Sequence, residues 1–187
     1  MVDDVDVRTC SLSDPISRRC FVDFMASQRF PMHVRAQWTR EDVEQQVDTG
    51  RYDGSAVLEI LTGAEAIGYA VLDDVEDDGI LLDLRLAERW RGLGLGAPAL
   101  TAVTDLAFGR FSARRLEGVT RRDNVAMRTV FRRCGYVLES CYRAGWSADE
   151  DVAAVGYART RTDWQRGTVT PVPWDELLVE EASRETG

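Results

Sequence analysis

Glu88-Arg89-Trp90-Arg91-Gly92-Leu93-Gly94-Leu95-Gly96-Ala97-Pro98 is the stretch on which the reading of this chain turns. It follows a β-rich run, Ile80 to Leu86, and precedes a helical one that reaches about Phe108, so its glycines stand where a strand gives way to a helix. There the backbone N–H groups of Arg91 to Gly96 can turn toward an anion at the helix N-terminus, and pyrophosphate is the natural ligand of such a cradle. Pro98 fits the first helical turn, where its missing N–H forfeits no helical bond. A branched side chain at Gly94 or Gly96 would obstruct the phosphate. A GxGxG run by itself is a weak signal, and a tight turn that holds nothing is the alternative. The surroundings discriminate. A dinucleotide-binding Rossmann unit places its glycines near the start of a βαβ unit, with an acid about 20 residues on, whereas here three or four strands of antiparallel character come first.

Upstream, Val5 to Cys10 alternates as a strand, and Asp14-Pro15 opens an amphipathic stretch in which Ile16, Cys20, Phe21 and Phe24 recur at helical spacing. Phe30 to Gln37 reads as irregular, the region where a substrate would enter. Thr39 with Glu41 and Asp42 can cap a second helix reaching about Asp48. Ser55 to Leu61 and Ala66 to Leu72 form a hairpin about Thr62-Gly63-Ala64-Glu65. The acidic cluster Asp73 to Asp78, with Gly79, turns the chain into the strand Ile80 to Leu86. Downstream, Arg115 to Thr120 is a strand, Asp123 caps a helix from Asn124 to about Cys134, and Gly135 ends it. Tyr136 to Tyr142 and Val152 to Thr160 complete the sheet. The expected fold class is α/β (α+β), a mixed, mostly antiparallel central sheet of six to seven strands flanked by about four helices. One domain is expected over residues 1–164, with an extended or partly helical tail over 165–187.

With 44% apolar and 29% charged residues, the 187-residue chain can bury one core. No apolar run nears the roughly 20 residues that cross a bilayer, and Met1 to Asp6 is acidic where a signal peptide is basic, so no membrane and a cytoplasmic location are expected. All 23 basic residues are arginine, which excludes Schiff-base chemistry and a P-loop lysine. His33 is the one histidine, and Cys10, Cys20, Cys134 and Cys141 lack metal-ligand spacing, so no metal is expected and the thiols read as buried. A net charge of -9 argues against nucleic acid. The charge is uneven, however: Arg85 to Arg133 carries 11 arginines against four carboxylates, while the remainder is strongly acidic. That contrast predicts a site for a small polyanion, with a cationic partner received elsewhere.

Arg91-Gly92-Leu93-Gly94-Leu95-Gly96 resembles the acyl-CoA signature of the GNAT superfamily, and Asp123-Asn124 followed by Val130 to Tyr136 resembles that superfamily's Asn-headed helix ending in a Gly-aromatic pair. The continuation, Leu138 to Arg143 and Asp151 to Trp164, is similar to the RimJ/RimL-type ribosomal-protein alanine N-acetyltransferases. The resemblance spans about Val5 to Trp164, more weakly before Ala66. It implies a GNAT-like acyl-CoA-binding fold, acetyl-CoA as cosubstrate, and direct transfer of acetyl to a primary amine of a small molecule or a peptide N-terminus, by a monomer or homodimer.

Carried onto this chain, the resemblance implies that the amides of Arg91, Gly92, Leu93, Gly94, Leu95 and Gly96 hold the CoA pyrophosphate. Main-chain groups of Asp83 to Leu86, Leu84 and Leu86 among them, pair with the pantetheine amides, and Asn124 hydrogen-bonds the arm. Arg89, Arg91 and Arg128 are candidates for the phosphates, while Arg132 and Arg133 read as a solvated helix face. Direct attack needs a base for the ammonium and a partner for the leaving thiolate, but no covalent enzyme intermediate, so Cys134 and Cys141 read as core packing. Asp83 ranks first as base, on the strand leading into the glycine turn with Arg85 on the same face. Glu139 ranks second, with an ion pair to Arg143 as its structural alternative, and Glu59 third. His33 lies where substrate could enter and reads as structural. Tyr142 and Trp146 are candidates for the acceptor pocket, and the acidic residues Asp73 to Asp78 and Asp149 to Asp151 point to a cationic amine. The chain has Phe131 where related enzymes often carry an acidic tyrosine, and Met127 where they often carry a serine. Those two departures motivate an alternative, a catalytically silent acyl-CoA-binding sensor or scaffold.

Overall fold

Alternating apolar and polar residues place seven segments in one sheet of the computed structural model, which describes residues 4–143 and 152–173. The strands are β1 (Val5–Cys10), β2 (Ala56–Thr62), β3 (Glu65–Asp73), β4 (Gly79–Leu86), β5 (Arg115–Arg121), β6 (Val137–Tyr142) and β7 (Ala154–Thr160). The helices are α1 (Pro15–Ser27), α2 (Arg40–Asp48), α3 (Gly96–Arg110), α4 (Val125–Arg133) and α5 (Arg161–Arg166), with a 3₁₀ turn at Glu88–Trp90. The spatial order is β1-β2-β3-β4-β5-β7-β6, and β4 with β5 is the one parallel pair in it. Mixed but mostly antiparallel, the sheet is the class the strand pattern predicts, with one helix more.

Side chains alternate across each strand, so the sheet separates two cores. Leu58, Ile60, Ala70, Leu72, Ile80 and Leu82 pack with Leu100, Val103 and Ala107 of α3. On the other face, Val57, Tyr69 and Val71 share a core with Phe21, Val22 and Met25 of α1 and Val43 of α2. The α1 stripe is therefore rotated from the expected one. Phe21 is buried as expected, but Ile16 is 68% exposed and Cys20 is exposed, because the residues meeting Val43 and Tyr69 are Phe21, Val22 and Met25.

The helix ends follow their capping chemistry. Asp14 accepts from the Ser17 N–H at 2.8 Å, with Pro15 at the first helical position. Thr39 and Asp42 form a reciprocal capping box. Asn124, not Asp123, caps α4, accepting from Met127 N–H at 3.2 Å, and Gly135 follows at φ +76°. Helix α5 was not expected and crosses residue 164; Thr160 caps it and Gly167 ends it at φ +65°. Thr168 and Thr170 then hydrogen-bond the buried Asp163. Most of the extended or partly helical tail expected over 165–187 lies outside the described residues, as do Trp146 and Asp149 to Asp151.

Candidate active site

Strands β4 and β5 pair only where Gly79–Leu81 meets Arg115–Glu117. Beyond that β4 runs on to Leu86 and β5 to Arg121 without further pairing, so the sheet splits along its middle. A cavity of about 520 Å³ occupies the opening, bounded by Leu84 and Leu86 of β4, the turn after it, and Asn124 to Met127 with Thr129 and Val130 at the head of α4. The loop between α1 and α2 closes one side with Phe30, Pro31, Met32 and His33. A second space of about 40 Å³ lies at the fork itself, lined by Leu82, Leu84, Val119, Thr120, Met127, Phe131, Met32 and His33.

Gly92 (φ +76°) and Gly94 (φ +84°) adopt left-handed backbone, and a Cβ on either would meet no protein atom within 4 Å. Helix α3 begins just after them with no side-chain cap among the described residues, so its first N–H groups are offered to the cavity side. Gly96 has another role: its Cβ would stand 3.0 Å from Cγ2 of Val130, so it lets α3 and α4 approach. Leu93 is 60% exposed and Leu95 is buried in the α3 core, so neither side chain lines the cleft.

The expected phosphate ligands divide. Arg91 lines the cleft; its Nε donates to Leu86 O at 2.8 Å and its guanidinium lies 5.2 Å from the Phe30 ring centroid. Its Nη2 and Trp90 Nε1 are buried donors with no partner among the described residues, which is what a site built for an acceptor-rich ligand leaves over. Arg89 instead pairs with Glu65, and Arg128 donates to Arg122 O at 2.8 Å and to Tyr157 Oη at 3.3 Å, so neither lines the cleft. Arg133, read as solvated, does line it. Part of the positive stretch is thus spent on ion pairs: besides Arg89, Arg85, Arg114, Arg115 and Arg121 pair with Asp83, Asp78, Glu117 and Asp123. Asn124 lines the cleft, with its Oδ1 on Met127 N–H and its Nδ2 donating to Thr120 Oγ1 at 3.0 Å.

A model of the family described as "Acetyltransferase (GNAT) domain" matches residues 8–137. The chain belongs to the GNAT acetyltransferase family. No curated relative matches it in sequence. Among solved structures it is similar to aminoglycoside acetyltransferase AAC(6')-Ib in complex with ribostamycin and coenzyme A, at 19% identity over 88% of this chain and 97% of that one, with a TM-score of 0.69. It is similar to spermidine N-acetyltransferase from Vibrio cholerae in complex with CoA and spermine, at 10% identity, 87% and 98% coverage and TM-score 0.70. RimL, a ribosomal α-N-protein acetyltransferase, in complex with coenzyme A shares 19% identity over 86% and 95% of the two chains, with TM-score 0.63.

In this acetyltransferase Asp83 sits on β4 with Arg85, facing the α1/α2 side of the sheet opposite Leu82 and Leu84. One carboxylate oxygen lies 3.0 Å from His33 Nε2, and the other accepts from Arg85 Nε at 3.0 Å and Nη2 at 2.7 Å. Burial raises the acid's pKa, but the His33 hydrogen bond and the Arg85 charge outweigh it and hold the carboxyl far below the usual carboxylate range. Glu139 lies on β6 at the sheet edge, away from the cleft, and pairs with Arg115 of β5, not with Arg143. Glu59 is buried between Arg8 and Tyr69, whose hydroxyl donates to it at 3.1 Å. Phe131 is buried and stacks on Tyr157 at 5.0 Å, with Gly118 making room: a Cβ there would lie 2.4 Å from Phe131 Cζ. Of the cysteines, Cys134 is buried and burial raises its thiol, whereas Cys141 and Cys20 are exposed, contrary to the expectation of buried thiols. Tyr142 is 52% exposed and outside the cleft lining. The signal for His33 and Phe30 was their place in the loop before Thr39; nothing in the sequence showed that the loop folds back over the fork.

Proposed function

We propose that this acetyltransferase holds acetyl-CoA along the β4–β5 opening and transfers the acetyl group directly to the primary amine of a cationic small molecule or a peptide N-terminus. The observation that carries the reading is the split between β4 and β5 over a turn whose glycines and uncapped helix end face the same cavity. The turn from Arg91 to Gly96 would take the pyrophosphate and Arg133 with Arg91 the remaining charge. Main-chain groups of Leu84 and the N–H of Leu86 would pair with the pantetheine amides, Leu86 O being taken by Arg91 Nε.

A cationic acceptor is supported by a second cavity of about 480 Å³ at the start of β4, lined by Asp53, Asp73, Asp74, Glu76 and Asp77 with Arg51. Ribostamycin and spermine, the amines seen with two of the similar enzymes, are polycations of this kind. Direct transfer requires that the ammonium lose a proton, that its nitrogen attack the thioester carbon, and that the C–S bond break to release a thiol.

The apolar pair Phe131 and Met127 beside the fork favours one rival, an acyl-CoA-binding module without turnover. Melting temperature with and without acetyl-CoA, followed by thiol release with spermine, ribostamycin and an alanine-initiated peptide, separates the two readings. A stabilised protein that turns over none of the amines is the silent module, and no stabilisation at saturating acetyl-CoA removes the cofactor assignment.

A further inference from the structure

The fork between β4 and β5 brings together groups that the sequence holds 50 residues apart. His33, on the loop after α1, reaches across to Asp83 on β4, with Nε2 3.0 Å from Oδ1. Its ring lines both the large cavity and the small space at the fork. Among the described residues lining these two spaces, the charged or titratable side chains are His33, Arg91 and Arg133. Arginine does not give up its proton in a protein, so imidazole is the one group among them with a nitrogen lone pair that can accept one. Asp83, placed first on sequence grounds, is already committed to His33 and Arg85 through both oxygens.

The ring is held from several directions. His33 N–H donates to Phe30 O at 3.0 Å, Phe30 N–H to Ala36 O at 2.7 Å, and Gln28 Oε1 accepts from Glu88 N–H at 2.9 Å, which fastens the loop to the segment after β4. Phe30 meets the His33 ring edge-on at 5.5 Å and carries the Arg85 and Arg91 guanidiniums on its own ring. The other ring nitrogen, Nδ1, is out of water and has no hydrogen-bond partner among the described residues. An imidazole that gives Nε2–H to a carboxylate keeps its lone pair on Nδ1.

We infer that His33 takes the proton from the acceptor's ammonium and that Asp83 is its positioning residue. This rests on the acetyltransfer reading above. The amine's N–H electron pair becomes the lone pair that attacks the thioester carbon, while the proton passes to Nδ1 and leaves as imidazolium N–H for solvent. The C–S pair departs on sulfur as thiolate, which takes the second proton shed by the attacking nitrogen and leaves as the thiol. Asp83 fixes the tautomer and compensates the charge that the ring gains, as a carboxylate oriented on imidazole does in other proton transfers. Nδ1 is covered in the free protein, so proton transfer requires the entering amine to uncover it. The charged groups facing the ring are Asp83 on Nε2, Arg85 beside Asp83, and Arg91, which shares the Phe30 ring with Arg85, while Arg35 of the same loop lies over Trp38 and pairs with Asp42. Arg51, Tyr52 and Asp73 interact electrostatically with Asp83.

His33→Gln is the discriminating change, because its amide can still donate to Asp83 and hold the loop but does not titrate. The full-length protein is assayed for transfer from acetyl-CoA to spermine, ribostamycin and an alanine-initiated peptide across pH 5 to 9. His33→Gln is expected to lower kcat/KM by at least about 100-fold, to abolish the acid limb of the pH profile and to leave the acetyl-CoA melting shift in place. Asp83→Asn is expected to move that limb to lower pH. In the wild-type protein the sole imidazole, observed by ¹⁵N NMR, is expected as the Nε2–H tautomer when neutral, a readout that needs no variant to fold. A His33→Gln enzyme with unchanged rate and limb, or an Nδ1–H tautomer in the wild type, overturns the assignment and leaves acetyltransfer standing. A wild type that binds acetyl-CoA but acetylates no amine overturns both.

Discussion

A Cβ on Gly96 would stand 3.0 Å from Cγ2 of Val130, and both residues line the cleft. The glycine thus serves the approach of two helices whose ends form the wall, not a special backbone angle. Gly96→Val is expected to destabilise the fold by about 1–3 kcal/mol through overpacking. Part of that loss should return in the Gly96→Val, Val130→Ala double variant, where the obstructing methyls are gone. Urea denaturation of the two single variants and the double checks it; strictly additive effects would show that the helices do not meet here.

Gly94 differs, because its φ is +84° and open space surrounds its Cβ. Gly94→Ala should cost about 1–2 kcal/mol from the left-handed backbone alone. Gly94→Glu carries the same strain and adds a carboxylate at the mouth of the cradle, so it should abolish acetyl-CoA binding where alanine only weakens it. Calorimetric titration of both variants separates charge from strain; equal affinities would defeat the pyrophosphate assignment.

The glycine turn, the caps at Asp14, Thr39 and Gly135, and the strands and hairpin up to β4 were legible because each rests on local chemistry: a side-chain oxygen near a free N–H, a left-handed residue, a period of two. Asp83 beside Arg85 followed from the same period. The partner of Asp83 did not, since His33 is brought to it by a loop whose course depends on packing against Phe30 and β4. The arginines show the same limit. A run of positive charge in sequence predicted an anion site, but five of its 11 arginines pair with carboxylates, and the choice between Arg128 and Arg133 depends on which side of α4 faces the fork. Helix α5 was within reach, with Thr160 and Asp163 at capping spacing and Gly167 behind, but the strand reading of Thr160 masked it.

Asp163 links α5 to the chain beyond it. Burial alone would raise its carboxyl, but hydrogen bonds from Thr168, Thr170 and Thr160 outweigh that and hold it at about 2. An unfolded aspartate titrates near 3.9, so the folded value is the depressed one. Its contribution to stability is complete above about pH 4 and is lost as the pH falls toward 2, where the unfolded state takes up its proton first. Asp163→Asn should lower the melting temperature at pH 7 and flatten the stability profile between pH 4 and 2. A parallel offset of wild type and variant across that window would show that the carboxyl's ionisation is not linked to folding.

Arg128 and Arg133 lie on the same helix but should respond in opposite ways. Arg128 bonds to Arg122 O and Tyr157 Oη, contacts that tie α4 to the end of β5 and to β7. Its removal leaves acceptors unpaired and should lower the melting temperature, with acetyl-CoA affinity kept within about twofold. Arg133 faces the cleft near the start of α3, and a guanidinium placed against phosphate oxygens contributes mainly when they are there. Arg133→Ala should therefore weaken acetyl-CoA by about tenfold, the effect of roughly 1.4 kcal/mol, with little change in the melting temperature of the free protein. Calorimetric titration at low and high ionic strength should show the loss shrinking with salt, as screening removes what the charge supplied. The reverse pattern, with Arg128→Ala losing affinity and Arg133→Ala losing only stability, would place the phosphates on the other side of α4.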